Sequence, residues 1–289
     1  MTPAPPAVAS IKNAVDAATR RLTGTVTETP RLDAEVLMAF VLGWTRARLF
    51  AHWDEPLDGE QQARYESLVE RRAAGEPVAY IRNLKEFLGL ELYVDRRVLI
   101  PRPETELLVS RAVVRLQSGA RTRPLVVDVG TGSGAIAIGI AKACPEVEVI
   151  ATDISADALA VAAQNASRHG VELDLRRGSL LEPIAEPVDL IVANLPYLSR
   201  DEYASLQGTS ISYEPRIALT DEEDGLRLFD ELLSKAPAEL KKGGAILLEI
   251  GSTQPRTLQA LAKRRLPNMQ AAVFVDYAGH ARVLELSQR

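Results

Sequence analysis

The sequence predicts an α/β protein: a doubly wound, mostly parallel sheet of seven strands with an antiparallel C-terminal hairpin, preceded by a small all-helical domain. Three observations carry that expectation. Residues 8–74 show helical periodicity without strand alternation. From Leu125 onward, short apolar runs alternate with helix-length segments, as βαβ units do. The last two apolar runs are separated by a turn too short for a crossover, so they must pair antiparallel.

The elements follow in order. Ala34, Leu37, Met38, Val41 and Leu42 fall on one helical face, entered through Thr29-Pro30 and left near Gly43. A further helix is expected at 59–73, stopped by Gly75-Glu76-Pro77. Trp44 and Trp53 read as packing between helices. The runs at 87–94 and 98–100 read as the strands of a hairpin, interrupted by Pro101 and Pro103 before a helix at 104–116. Strands are then expected at 125–129, 147–152, 173–176, 188–193 and 245–250, with helices at 135–143, 156–169 and 226–240. The closing strands are 270–276 and 282–286, turning at Gly279. The domain organisation expected is a helical domain at 1–76, a linker with a β-hairpin at 77–103, and a catalytic domain at 104–289.

Composition narrows the class. Of 289 residues, 46% are hydrophobic and 25% charged, which is ordinary globular composition. No apolar run approaches the roughly 18 residues of a membrane span, and the N-terminal prolines and Asp16 do not read as a secretory signal. A cytoplasmic monomer is expected. Cys144 has no partner for an internal disulfide and reads as a small hydrophobe near a helix end; His52, His169 and His280 lack metal-ligand spacing, so no metal is expected. Residues 1–90 hold 11 Lys/Arg against 12 Asp/Glu, and the remainder 23 against 27. Neither part is a dedicated nucleic-acid-binding module in bulk.

Three motifs carry chemistry. Asp128, Gly130, Thr131, Gly132, Ser133 and Gly134 form an acid-led G-x-G-x-G turn after the first sheet strand, where a backbone can approach a ligand beneath a helix N-terminus. Dinucleotide enzymes use G-x-G-x-x-G, so a nicotinamide dehydrogenase fits poorly. Asp153, 19 residues beyond Gly134, can accept from both hydroxyls of a ribose, or else cap the helix that follows. Asn194-Leu195-Pro196-Tyr197 leaves the fourth sheet strand at the carboxyl edge, where ligands of open α/β sheets bind. Together they point to a nucleoside-bearing cofactor, with a functional loop at the neighbouring strand end.

With these residues in view, the chain resembles the bacterial release-factor glutamine methyltransferases among the class I methyltransferases. The resemblance runs through Pro30–Glu35, Glu76–Ile81, Val98–Glu106, the Gly130–Gly134 loop, Tyr213-Glu214-Pro215, Asp224-Gly225-Leu226 and Leu248-Glu249-Ile250-Gly251. It departs at Leu195, where the family has a second proline, and at Asn83, where the family has a glycine. It implies S-adenosylmethionine as cofactor, S-adenosylhomocysteine as product, and class 1 peptide chain release factors as protein substrate, with modulated translation termination as the outcome. It further implies that the Asn194 side-chain oxygen and the carbonyl of Leu195 accept the two hydrogens of a glutamine carboxamide. Pro196 restricts residue 195, and Tyr197 offers a ring face. Asp128, Gly130–Gly134, Asp153, Leu180 (after Ser179) and Asn194 would contact the cofactor, with Arg102, Glu104 and Thr105 bordering the cleft.

A carboxamide nitrogen is a weak nucleophile, so holding it in line with the departing sulfur is the main requirement, worth up to about 7–11 kcal/mol. Two other readings stay open at this level. One is an adenine amino-methyltransferase acting on rRNA or DNA, which would need basic surface and base flipping. The other is a non-catalytic adapter, disfavoured by the intact glycine loop, Asp153 and Asn194.

Overall fold

A computed structural model describes residues 10–119 and 122–288. The expected helical start at Val8 and the reading of the N-terminal sequence lie outside the described residues. The chain divides into two compact units: one runs up to Leu84 and takes in Leu206–Tyr213, and the other comprises Lys85–Ser205 and the chain from Glu214.

The first unit is built from α1 (Ile11–Leu22), α2 (Pro30–Leu42), α3 (Arg46–Ala51), α4 (Gly59–Ala73) and α5 (Val78–Arg82). Local signals set their ends. Ser10 caps α1, Pro30 opens α2, and Asp58 with Gln61 forms a reciprocal capping box on α4. Ile11, Val15, Leu37, Met38, Tyr65 and Leu68 meet in the core, with Trp44 and Trp53 partly buried against it. The buried Asp33 accepts from Thr27 Oγ1 (2.5 Å), Thr29 Oγ1 (3.0 Å) and Arg72 Nε (2.7 Å). Arg72 Nη1 also donates to Ser210 Oγ at 2.9 Å, and the Tyr213 hydroxyl donates to the Ala74 carbonyl at 2.9 Å. These contacts explain why a distant segment joins the helical unit. Asn83 ends α5 with φ 51°, and its N–H reaches the carbonyls of Ala79 and Tyr80. Asn is among the few non-glycine residues that enter this left-handed region readily, so it can stand in for glycine there.

The second unit opens with a hairpin, β1 (Lys85–Phe87) and β2 (Leu90–Leu92), and here the sequence reading needs correcting. The turn lies at Leu88-Gly89, with φ 51° and 74°, the positive values a tight two-residue hairpin turn demands. Val98–Ile100 is no strand. Its apolar residues Val98 and Ile100 are buried, and the Ile100 N–H is satisfied by Glu214 Oε2 at 2.9 Å instead of a ladder. There follow α6 (Thr105–Ser118), β3 (Leu125–Val129), α7 (Ala135–Ala143), β4 (Glu148–Asp153), α8 (Ala156–His169), β5 (Asp174–Arg177), β6 (Val188–Ala193), α9 (Arg200–Ser205), α10 (Arg227–Glu239), β7 (Leu240–Glu249), α11 (Pro255–Arg265), β8 (Met269–Val275) and β9 (Ala281–Gln288). The α11 helix was not expected, although Pro255 at its start and Leu258, Leu261 and Ala262 on one face announce it. Cys144 is buried at the end of α7.

The seven strands order as β5-β4-β3-β6-β7-β9-β8, with β5 to β7 parallel and β9 antiparallel to both its neighbours. Each face is buried. Val126, Leu190, Val192, Ala245 and Leu247 pack with residues of α6 and α7, while Val127, Ile191, Ile246 and Leu248 pack with α10 and α11. The sheet is a class I methyltransferase fold. Strand order reverses direction between β3 and β6, which opens a crevice at their carboxyl ends. The glycine turn and the Asn-Leu-Pro-Tyr loop leave the sheet at that point.

Candidate active site

The glycine turn is tied to the sheet at both ends. The N–H groups of Gly130 and Thr131 donate to the Thr152 carbonyl, each at 2.9 Å. Beneath them Asp128 is fully buried and accepts from Thr131 Oγ1 at 2.6 Å and the Ala137 N–H at 3.2 Å. Its Oδ1 has no hydrogen-bond partner among the described residues. Burial, with Asp153 adding repulsion, pushes its carboxyl up to about 7 against the hydrogen bonds that lower it. Gly134 enters α7 at φ 82°, and a Cβ there would lie 3.3 Å from the Ala162 backbone. Only glycine serves both the turn and the close approach of α7 to α8.

Asp153 ends β4 facing the turn. Its Oδ2 accepts from the Gly132 N–H and its Oδ1 from the Ser155 N–H, both at 2.9 Å. Ser155, not Asp153, caps α8. Burial is the main influence on Asp153 and raises its pKa, opposed by these backbone donors. Leu180 sits nearby with φ 52°, its carbonyl accepting from Thr152 Oγ1 at 3.1 Å. A leucine in this region is strained, and such strain collects where a side chain must be aimed.

The Asn-Leu-Pro-Tyr loop extends β6. Asn194 Nδ2 donates to Thr105 Oγ1 at the start of α6, at 3.3 Å. Leu195 points the other way, into the core beside α10 and α11, and is 3% exposed. The Tyr197 ring is partly buried against the same core. Burial first, then Glu249, pushes its phenol up to about 12. Beyond Tyr197 the loop is stapled to the segment 219–225: the Leu198 N–H donates to the Leu219 carbonyl at 3.1 Å, and Gln254 Nε2 donates to the carbonyls of Tyr197 (3.0 Å) and Gly225 (3.3 Å). Arg102 pairs with Glu214, and Glu104 lies 3.7 Å from Arg282.

A cleft of about 560 Å³ opens between these loops, lined among others by Gly130, Gly132, Asp153, Leu180, Asn194, Leu195 and Pro196. Of the residues singled out in the sequence, Asp128, Thr131, Ser133, Gly134 and Tyr197 do not line it, and neither do Arg102, Glu104 and Thr105, which were expected to border it. The first four organise the turn beneath, and Tyr197 packs against the core. Arg102 and Glu104 are drawn into ion pairs with Glu214 and Arg282, and Thr105 meets the cleft only through its bond to Asn194. Of the wall contributed by Pro215–Ala218 and Thr220–Glu222, only Pro215 stood in a string that carries the resemblance, with no role assigned, and nothing local marks the rest. Gln254 was likewise not singled out, and Glu249 stood only within the Leu248–Gly251 string of the resemblance with no role assigned; both act across sequence separations that no spacing pattern reports. A wider hollow of about 1160 Å³ lies at the opposite strand ends, around Leu125, Glu148 and Asp174. It holds none of these groups and is on the wrong edge for a ligand of an open sheet. No cluster of candidate metal ligands occurs among the described residues, and none of their helices is long and apolar enough to cross a membrane.

Residues 13–82 match the family model described as PrmC N-terminal domain, and residues 104–212 match the methyltransferase small domain. The release factor glutamine methyltransferase of Bordetella pertussis is 46% identical over 237 residues, covering 81% of this chain and 87% of its own. This chain belongs to the release factor glutamine methyltransferase family. The member from Deinococcus radiodurans is 38% identical over 272 residues and covers 94% of this chain and 96% of its own. Among solved structures, a ribosomal protein L11 methylase from Lactobacillus delbrueckii subsp. bulgaricus superposes with a TM-score of 0.50 at 22% identity, covering 68% of this chain and 84% of that one. That likeness speaks for the fold alone. Within the release factor glutamine methyltransferase family, the adenine reading of Asn-Leu-Pro-Tyr is not favoured.

Proposed function

We propose that this protein transfers a methyl group from S-adenosylmethionine to the side-chain amide nitrogen of the glutamine in the Gly-Gly-Gln loop of class 1 release factors. The observation that carries the reading is the Asn194 amide. Its nitrogen is engaged by Thr105 at 3.3 Å, which leaves the carbonyl end to accept an N–H from an incoming primary carboxamide. The neighbouring Leu195 carbonyl would take the second hydrogen, aiming the nitrogen lone pair into the cleft.

The residues lining the cleft suit the cofactor. Asp153 lies where a carboxylate can take the ribose hydroxyls. Gly132 borders the cleft with nothing within 4 Å of where a Cβ would stand, so the ligand meets bare backbone there. S-adenosylmethionine, when bound, supplies an electrophilic methyl on a sulfonium. The chain's own task is then to hold the carboxamide in plane, exclude water and keep the nitrogen in line. No residue has to act as a strong base beforehand, because an alkylated amide nitrogen sheds its proton readily. The helical unit, with its own core, is assigned to choosing the protein substrate.

Incubation with labelled S-adenosylmethionine and either a class 1 release factor or rRNA tests the reading. Label on the Gly-Gly-Gln glutamine supports it, and label only on adenine refutes it. Asn194→Ala should abolish transfer while cofactor affinity stays within a few-fold of the parent.

A further inference from the structure

Glu249 is a buried acid that the reading above does not use. It ends β7, the strand beside β6. Ala193 pairs with Leu248 in parallel register, so the next residues along, Asn194 and Glu249, lie side by side. Strand alternation places both on the face that Val192 and Leu247 share, the face covered by α6. Thr105 reaches them from the first turn of that helix.

The environment of Glu249 is poor for an acid. It is 2% exposed, and its Oε2 has no hydrogen-bond partner among the described residues. Against burial, the nearby side chains of Thr105 and Asn194 and the Arg282 guanidinium on β9 favour its charged form, and Glu104 at the start of α6 disfavours it. Burial nevertheless dominates and pushes the group up to about 7. A buried carboxyl with an unpartnered oxygen costs stability, and an apolar side chain of similar volume would serve the core better. Its presence therefore calls for a different reason.

The reason is the ambiguity of an asparagine amide. Its oxygen and nitrogen ends have nearly the same shape, so packing cannot choose between them; only hydrogen-bonding partners can. Flipped, Asn194 would turn N–H groups toward the substrate's own N–H groups and its oxygen toward an acceptor. We propose that Glu249 is a positioning residue: together with Thr105 it holds the nitrogen end of Asn194 against the sheet, so that the oxygen end faces the substrate carboxamide. This rests on the reading of Asn194 given above.

The test compares Glu249→Met with Glu249→Gln, which keeps an acceptor of the same reach. Three readouts are taken: transfer to a class 1 release factor, S-adenosylmethionine affinity by calorimetry, and hydrogen exchange of the Asn194 side-chain amide by NMR in the ligand-free protein. Glu249→Met should keep or raise Tm, hold cofactor affinity within about threefold, cut kcat at least tenfold and speed Asn194 amide exchange at least tenfold. Glu249→Gln should restore both rate and slow exchange to within about threefold of the parent. Unchanged exchange in Glu249→Met overturns the proposal, whatever happens to the rate. The accelerated exchange in a protein whose parent methylates no release factor supports the positioning role and refutes the substrate reading instead. Thr105→Val gives the same comparison from the second acceptor should Glu249→Met fail to fold, with Thr105→Ser as its conservative partner.

Discussion

Substituting Gly225 by alanine should uncouple methyl transfer from cofactor binding. Gly225 has φ 77°, and a Cβ built there would lie 2.2 Å from the Tyr197 carbonyl oxygen, 3.0 Å from its carbon and 3.2 Å from the Ser199 nitrogen. All three are backbone atoms, so no side chain can swing aside. Ordinary contact begins near 3.4 Å, and the loop carrying Asn194 must recede by about 1 Å to reach it. The left-handed backbone alone costs alanine about 1–2 kcal/mol. A displacement of about 1 Å at a positioning loop can cost about 100-fold in rate. Gly170→Ala separates the two effects, because Gly170 also has a positive φ (62°) with nothing within 4 Å of its Cβ position. The assay is kcat for methylation of a release factor, alongside calorimetric S-adenosylmethionine affinity and urea unfolding for both variants. Gly225→Ala should lose about 100-fold in kcat with affinity within a few-fold, while Gly170→Ala loses stability alone. Equal kcat in the two variants would refute the claim that Gly225 sets the course of the Asn194 loop.

Two further outcomes follow from burial. Folding stability should fall as pH rises from about 4 toward 7. Asp128 is pushed up to about 7 in the folded chain from an ordinary 3.8, so the native state holds its proton more tightly and that advantage is lost as pH climbs through the folded value. The slope is at most about 1.4 kcal/mol per pH unit from this group; urea midpoints measured across the range should flatten in Asp128→Asn, and an unchanged slope would contradict the assignment. Leu195→Ala should destabilise by about 2–5 kcal/mol through a cavity between β6 and α10. It retains the backbone carbonyl, so its kcat per folded molecule should fall far less than that of Asn194→Ala; an equally inactive, fully folded Leu195→Ala would show that the side chain itself takes part.

The two departures from the family pattern illustrate how local substitutions are absorbed. Asn83 occupies a left-handed helix end that asparagine tolerates. Leu195 turns its side chain into a core that a proline ring would fill less, while Pro196 still restricts the preceding residue to extended backbone.

What the sequence by itself determined is the information that lives in short-range periodicity. The bounds of β3, α7, α8 and β6 can be read from apolar runs, helical spacing and glycine ends, because each repeats over two to four residues. The glycine turn, Asp153 and Asn194 were legible too, since each follows a strand at the carboxyl edge, and strand order brings β3 beside β6. The hairpin was misplaced because 98–100 is as apolar as a strand yet spends its backbone N–H on Glu214, 114 residues away. Only the tertiary structure could pair Glu249 with Asn194, bring Gly225 against the Tyr197 carbonyl, or draw Leu206–Tyr213 into the helical unit through Arg72. Each of those contacts depends on strand register or on a side chain reaching across the chain, and neither leaves a period for sequence spacing to report.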